Sequence, residues 1–380
     1  MAQPLMLESL EIQRFRAFEH MQIERLGRVN LITGKNNVGK SCLLEALLVY
    51  AYRGSPSQIL QLMEARDEIQ YPSRYYGPRV EENDLDQQAL NIRHLFYGRS
   101  DIQDLPSLIK IGPVGRPNES LSIRAGWFTP SETKEAGIQQ TRLPLDSKYA
   151  MENQVLVLVI QRGTQEPEIY SVAQYVEHRG PLPPEKKGAI PCIFIRANGL
   201  APRQVALLWD TIALTDLERE VLTALRIIAP EVDGVTLVGE PDVRRVRTPI
   251  VRTPAFNVPV PLRSMGEGMN RILGIALALV NAKDGILLID EFESGLHYSV
   301  QADLWRLVFQ VAYQLNVQVF ATTHSWDCVA AFQQAVQEDS LGGGLLISLR
   351  DKEDEPGHKV AVSFDKSELA IITRENIEVR

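Results

Sequence analysis

A glycine-rich segment ending in lysine and serine is the part of this sequence with the clearest chemical capacity. It has the spacing GxxxxGK[ST], in which the glycines let the backbone curl so that successive N–H groups point at phosphate oxygens. The lysine can then reach the β- and γ-phosphates, and the serine hydroxyl can ligate Mg²⁺. We therefore predict a nucleoside triphosphate site in which Lys40 also assists catalysis. The predicted nucleotide-binding residues are Gly34, Lys35, Asn36, Asn37, Val38, Gly39, Lys40, Ser41 and Cys42.

The runs on either side of this segment supply the context that the motif needs. A strand-like apolar run over residues 28–33 precedes it, and a helix-like run over 42–48 follows. A helix that starts near Gly39 would add the positive end of its dipole to the phosphate site. A glycine-rich turn with a solvated lysine is the alternative, and the flanking strand and helix disfavour it.

Two acidic residues follow a run of four aliphatic residues at 286–289. Such a run predicts a fully buried strand, and open α/β sheets bind their ligands at the carboxyl ends of the strands. We predict that Asp290 holds Mg²⁺, directly or through water. Glu291 points in a different direction and is the candidate general base that polarises the attacking water.

A histidine follows the next apolar strand pattern, at residues 317–321. At that position His324 could hydrogen-bond the γ-phosphate or the attacking water. A histidine at a strand end is often only a satisfied polar residue. Its place on the strand after the acidic pair favours the functional interpretation.

A short run of small residues precedes a long apolar helix pattern over 269–282. Free N–H groups at such a helix start can form a second anion site, whose candidates are Ser264, Gly266, Glu267 and Gly268. An ordinary glycine-rich helix start is the simpler alternative for this run taken alone.

Length and composition indicate a globular protein of two or three domains. The chain has 380 residues and a formal net charge of −8. The sequence contains no run of about 18 apolar residues, so no membrane span is predicted. The first residues lack the pattern of a secretory signal, and three scattered cysteines suit a reducing cytosol better than a disulfide framework or a zinc site.

The negative charge disfavours a protein that coats nucleic acid by bulk charge, but it leaves room for a local basic patch. The candidate residues for contact with nucleic acid or a partner are Arg244, Arg245, Arg247 and Arg252. A solvated strand edge, where charges discourage aggregation, is the alternative for this stretch.

Periodicity predicts two kinds of architecture. Alternating buried strands and helices from residue 269 to 336 indicate a parallel sheet between helices. Short alternating segments at 107–111, 121–127, 154–161 and 168–172 indicate an antiparallel sheet. Helices are predicted at 202–212 and 217–228, and a strand hairpin is predicted at the C-terminus.

The order of the motifs resembles the ABC-type ATPase heads of the SMC, RecF and OLD-like group. Matching features are an FRAF first strand, GxNxxGKS, an S-x-G-E-G signature, an Asp-Glu Walker B pair and a TTHS switch histidine. The stretch DEFESGLH at 290–297 is especially similar to short bacterial AAA-like ATP/GTP phosphatases. The resemblance is strong over residues 5–50 and 262–335.

This resemblance implies an α/β P-loop NTPase head that closes on ATP and Mg²⁺ as a head-to-tail homodimer. Ser264, Gly266, Glu267 and Gly268 would then complete the partner's site in trans, and residues 293–297 would form the D-loop at the dimer seam. Arg16 would lie near nucleotide or DNA, a solvated strand-end arginine being the alternative. Candidates for the Q-loop glutamine are Gln58, Gln61 and Gln70.

Two departures from the family narrow the expected function. Long coiled-coil arms are missing, and the roughly 55 residues after His324 are too few for a TOPRIM nuclease domain. Together with these departures, the resemblance implies a cytoplasmic ATPase that switches a separate effector, such as a nuclease, or a nucleic acid, in bacterial anti-phage defence. The alternatives are a RecF-like DNA-repair ATPase and a non-catalytic scaffold that holds an effector with bound ATP.

The motifs also suggest a division of the chain. We predict a head N-terminal lobe at 1–54, an insertion with an antiparallel β subdomain at 55–184, a helical subdomain at 185–248 and a head C-terminal lobe at 249–380.

Overall fold

The computed structural model describes residues 3–68, 92–99, 108–128, 155–172, 188–239, 247–254, 256–352 and 355–375. Its strands are β1 Leu10–Phe15, β2 Phe18–Ile23, β3 Val29–Gly34, β4 Ile109–Gly112, β5 Leu121–Phe128, β6 Val155–Arg162, β7 Glu168–Ser171, β8 Cys192–Ile195, β9 Gly234–Gly239, β10 Arg247–Arg252, β11 Val260–Pro261, β12 Ile286–Ile289, β13 Gln318–Thr322, β14 Gly344–Lys352 and β15 Glu355–Phe364. Its α-helices are α1 Lys40–Ala51, α2 Pro56–Glu64, α3 Pro202–Ile212, α4 Leu217–Leu225, α5 Glu267–Asn281, α6 Tyr298–Gln314, α7 Trp326–Glu338 and α8 Lys366–Arg374.

The central sheet has the strand order β15-β14-β3-β13-β12-β8. The five strands from β14 to β8 run parallel, and β15 closes one edge as an antiparallel strand. Every residue of β3, β12 and β13 is buried, because helices cover both faces of the sheet. The predicted α/β fold with a largely parallel sheet between helices is confirmed.

A second, antiparallel sheet lies across α1, with the order β2-β1-β4-β5-β6-β7. Helix α1 is apolar around most of its circumference, and Leu43, Leu44 and Leu47 are fully buried. They belong to one apolar core shared by α1, the antiparallel sheet and one face of the parallel sheet. The other face packs against α5, α6 and α7 in a separate core. The helix after the glycine-rich loop is therefore fixed from both sides.

Three features differ from the sequence-based expectation. Strand β8 lies in the range predicted as a helical subdomain, yet it pairs with β12 in the parallel sheet. Strands β9, β10 and β11 form a small antiparallel sheet of their own. Helix α8 follows the predicted C-terminal hairpin and is capped by Asp365 and Glu368, which form a capping box. The proposed domain boundaries stay a prediction.

Within the described ranges, none of the helices combines the length and apolar character that crossing a bilayer requires.

Candidate nucleotide site

The glycine-rich loop joins the end of β3 to the start of α1, the strand–loop–helix order that the motif predicted. Gly39 has a φ of 108° and immediately precedes α1. A Cβ atom at this position would come within 2.8 Å of the Phe18 ring. Both the backbone angle and the close approach of β2 therefore restrict this position to glycine.

The Lys40 side chain folds over the loop. Its Nζ donates hydrogen bonds to the carbonyl oxygens of Gly34, at 2.7 Å, and Lys35, at 3.1 Å. Burial lowers the pKa of Lys40, while the nearby carboxylates of Asp290 and Glu291 act to raise it. The lysine thus lies between the phosphate-binding loop and the acidic residues that follow β12.

Ser41 and Asp290 meet although they are far apart in sequence. The Ser41 hydroxyl donates to Asp290 Oδ2 at 2.9 Å, and the Thr322 hydroxyl donates to Asp290 Oδ1 at 2.6 Å. A hydroxyl and a carboxylate so placed are hard oxygen donors, the ligand type that Mg²⁺ prefers. The pair Ser41 and Asp290 therefore fits a magnesium site, where the ion would neutralise phosphate charge.

Glu291 is held in an uncommon backbone conformation. Its φ is 50°, in the left-handed region that non-glycine residues rarely adopt. Its N–H donates to the Thr322 hydroxyl at 2.9 Å. Strain of this kind costs on the order of 1–3 kcal/mol and persists only where the surroundings fix the residue. The Thr322 hydroxyl therefore fixes the backbone of this turn from the neighbouring strand β13.

His324 lies at the end of the neighbouring strand β13, beside Glu293. Its backbone N–H donates to Glu293 Oε1 at 3.1 Å, and its ring Nδ1 lies 3.4 Å from the same oxygen. The histidine side chain is about half exposed, whereas that of Glu293 is 10% exposed. The sequence had placed Glu293 only in a D-loop at a dimer seam. In the structure Glu293 contacts His324 of its own chain.

The candidate trans residues lie at the start of α5. Ser264 belongs to a 3₁₀ turn, and Gly266, with a φ of 104°, directly precedes the helix. Ser264, Gly266 and Glu267 are exposed. A Cβ atom on Gly268 would lie 3.2 Å from the carbonyl oxygen of Gly295, so the signature and the D-loop are adjacent. The trans role of these residues stays a prediction.

Arg16 lies beside the loop but is held by acidic side chains. Its Nη1 is 2.6 Å from Glu68 Oε1, and its Nε is 2.9 Å from Glu45 Oε2 on α1. The next two residues, Ala17 and Phe18, flank Gly39. Arg16 is therefore a buried ion-pair residue next to the loop, and not the solvated strand-end arginine of the alternative.

Two of the four arginines of the predicted basic strip lie within the described residues. Arg244 and Arg245 fall outside the described residues. Arg247 pairs with Asp210, and Arg252 pairs with Asp233 at 2.8 Å. Since five residues separate them on β10, the two point to opposite faces of the strand.

The Q-loop candidates can be placed in part. Gln58 and Gln61 lie on α2 and line a cavity of about 310 Å³ together with Arg196. Gln70 lies outside the described residues.

Sequence reasoning missed three residues around this site. Thr322 holds both Asp290 and the backbone of Glu291. Arg196 follows β8 at the carboxyl edge of the sheet, directly beside the end of β12. Arg271 of α5 donates to carbonyl oxygens of the turn after β12. For Arg196, a short apolar run that ends in a charged residue was the available signal.

Two family models match parts of the chain. Residues 9–67 match a model described as "AAA domain". Residues 241–327 match one described as "AAA domain, putative AbiEii toxin, Type IV TA system". The first match contains the glycine-rich loop, and the second contains the signature, the acidic pair and His324.

A curated relative from Helicobacter pylori, named ATP/GTP phosphatase, is 24% identical over 375 residues, which is 92% of this chain and 94% of the relative. An SMC head bound to the C-winged helix domain of ScpA is 12% identical, covers 95% of this chain and 98% of that structure, and has a TM-score of 0.48. The SMC head domain from Thermotoga maritima is 13% identical, covers 94% and 99%, and has a TM-score of 0.43. The family models and the relative support the resemblance to ABC-type ATPases that the motifs indicated.

Proposed function

We propose that the chain is a Mg²⁺-dependent ATPase that dimerises on ATP and switches a partner. The observation that carries the proposal is the hydrogen-bonded set of Ser41, Asp290 and Thr322. It joins the phosphate-binding loop to the ends of β12 and β13 at one edge of the sheet. Parallel sheets bind their ligands at this edge.

Each side chain has a distinct task in this proposal. Lys40 and the loop N–H groups bind the phosphates, and Ser41 with Asp290 holds Mg²⁺, which supplies charge neutralisation when bound. Glu291, aimed by its strained turn, orients and polarises the attacking water. His324, oriented by Glu293, contacts the γ-phosphate.

The exposed signature supports dimerisation. Ser264, Gly266 and Glu267 are exposed at a helix start, where free N–H groups attract phosphate. In a head-to-tail dimer these groups would face the nucleotide of the partner, and the adjacent D-loop would lie at the seam.

A role as a switch for a separate effector in bacterial defence is part of the same proposal. The matched family description, which names a toxin of a type IV system, supports it. The ATP/GTP phosphatase name of the relative supports hydrolysis over a purely structural use of nucleotide.

Turnover and assembly test the proposal together. We expect the wild-type chain to hydrolyse ATP with Mg²⁺, and Glu291→Gln to lower kcat by about 10²–10⁴-fold, as expected for a lost general base. Sedimentation of Glu291→Gln with ATP should reveal a dimer that disappears without nucleotide. Near-wild-type turnover in Glu291→Gln would refute the assignment of the base.

The matched control for assembly is Ser264→Arg, which places a bulky cation at the signature and leaves the phosphate loop intact. It should bind ATP but remain monomeric. If Glu291→Gln has the same mass with ATP whether or not it also carries Ser264→Arg, the trans role of the signature is wrong.

A further inference from the structure

Arg271 is a buried cation that joins two parts of the molecule. It lies on α5, one turn after Gly268 of the signature, and is 6% exposed. Its Nη2 donates to the carbonyl oxygens of Asp290, at 2.8 Å, and Glu291, at 2.7 Å. Its Nη1 donates to the carbonyl oxygen of Arg196 at 3.1 Å. One guanidinium thus binds the ends of both β8 and β12.

The two carbonyl oxygens that accept from Arg271 Nη2 belong to Asp290, the proposed magnesium ligand, and Glu291, the proposed general base. Glu291 has its N–H bound to Thr322 and its carbonyl oxygen bound to Arg271. These hydrogen bonds hold the peptide units on both sides of the strained Cα atom. A planar guanidinium with fixed donors suits such a contact better than a flexible ammonium group.

The charge of Arg271 also matches its surroundings. Burial lowers the pKa of Arg271, while the carboxylates of Glu293, Asp290 and Glu291 oppose that shift. An arginine keeps its proton under these conditions. The buried cation therefore offsets the charge of the acidic turn as well as holding its backbone.

We propose that Arg271 is a positioning residue that ties the signature helix α5 to the turn carrying Asp290 and Glu291. A displacement of α5, as when its exposed start engages a second copy, would then move the general base of the same chain. In this inference, the start of α5 at residues 267–271 and the turn at residues 290–295 move together. The inference rests on the proposed ATPase function where kcat is measured, but its test by hydrogen exchange does not depend on that function.

Arg271→Lys tests the inference, because lysine keeps the charge and loses the fork of donors. We expect kcat to fall by about 10²-fold, the effect of misplacing a catalytic group by about 1 Å. The affinity for a fluorescent ATP analogue should change by less than about threefold, since binding rests on the phosphate loop. Hydrogen exchange at residues 286–295 should become faster.

Arg28→Lys is the matched control. Arg28 is also buried and also donates to backbone carbonyl oxygens, those of Gln3 and Pro4, but at the opposite end of the parallel sheet. The free energy of unfolding of Arg28→Lys should fall as much as that of Arg271→Lys, while its kcat stays within about threefold of the wild-type value. An equal loss of kcat in both variants would overturn the inference in favour of general destabilisation.

Chemical rescue separates positioning from folding. Arg271 lines a cavity of about 810 Å³ through which a small cation could reach its place. Millimolar methylguanidinium should raise the kcat of Arg271→Ala at least tenfold, and ammonium should not. Unchanged kcat in Arg271→Lys would overturn the inference while leaving the ATPase proposal intact. If the wild type shows no ATPase activity, the proposed function fails. The inference about Arg271 is then decided by hydrogen exchange, and an unaltered exchange rate at residues 286–295 in Arg271→Lys would overturn it.

Discussion

The two ends of the same parallel sheet carry opposite kinds of polar network. At the amino end, Gln318 donates to the carbonyl oxygens of Leu7 and Gly27, at 2.8 and 3.0 Å, and accepts from the Leu7 N–H at 2.9 Å. Asn30 exchanges hydrogen bonds with the backbone of Gly27 in the same way. Both amide side chains are fully buried. These amide networks are neutral and are satisfied by the backbone, and the charged Arg28 at this end is likewise held by the carbonyl oxygens of Gln3 and Pro4.

The carboxyl end brings several charged side chains together. It brings Lys40 and the carboxylates of Asp290, Glu291 and Glu293 together. Among the described residues, Glu293 Oε2 is buried without a hydrogen-bond partner. A buried oxygen atom without a hydrogen-bond partner costs stability unless a donor, such as a group on a ligand, reaches it. The amino end joins backbone groups through amide side chains, whereas the carboxyl end collects the charged residues on which the proposed nucleotide chemistry rests.

Lys40→Ala gives the largest expected change at the carboxyl end. It removes the cation that faces the phosphates, so we expect kcat to fall by about 10²–10³-fold, as for the loss of one electrostatic contact to a reacting group. Steady-state ATP hydrolysis measures the effect. Lys283→Ala is the control, because this exposed lysine lies just before β12, at the amino end of the sheet. It should stay within about threefold of wild type.

Gln318→Met should show the reverse behaviour at the amino end. The substitution orphans the carbonyl oxygen and the N–H group of Leu7 and removes one of the two amide donors to the Gly27 carbonyl oxygen, so the free energy of unfolding should fall by about 2–4 kcal/mol. Urea denaturation measures this loss, and kcat per folded molecule should not change. Gln314→Ala, at an exposed position at the end of α6, should alter stability by less than about 0.5 kcal/mol. A large loss of kcat in Gln318→Met would remove the contrast between the two ends.

Arg252→Ala, remote from both ends, should have the smallest effect. Its ion pair with Asp233 is largely exposed, and such pairs add little to stability. We expect unchanged ATP hydrolysis and a melting temperature within about 2 °C of wild type. The same variant tests the DNA-repair alternative. If Arg252 contacts a phosphate, the salt dependence of DNA binding should weaken by about one unit of slope.

The core of the candidate site could be predicted from short stretches of sequence. The glycine-rich loop, the acidic pair and His324 each follow a recognisable strand pattern, and the structure brings Lys40, Ser41 and Asp290 together. Strand β8 escaped prediction, and what orders it is its parallel pairing with β12, a contact between distant segments of the chain. Helix α8 was missed despite a readable Asp365–Glu368 capping box.

Contacts between distant residues could not be predicted in this way. Arg16 pairs with Glu68, 52 residues away, and Arg271 donates to the carbonyl oxygen of Arg196, 75 residues away. Side-chain type alone does not reveal such partners, because an arginine pattern fits a solvated surface equally well. The opposite faces of Arg247 and Arg252 likewise became apparent only with the register of β10.

The sequence by itself determined the local chemistry of this protein, since glycine placement, strand endings and the adjacent acidic pair are properties of contiguous residues. The tertiary structure decided how these pieces are oriented toward one another. It set the strained turn at Glu291, the contact of Glu293 with His324 and the link from α5 through Arg271. The physical reason is that a hydrogen bond needs a position within a few tenths of an ångström, and only the packing of the whole sheet and its helices sets that position.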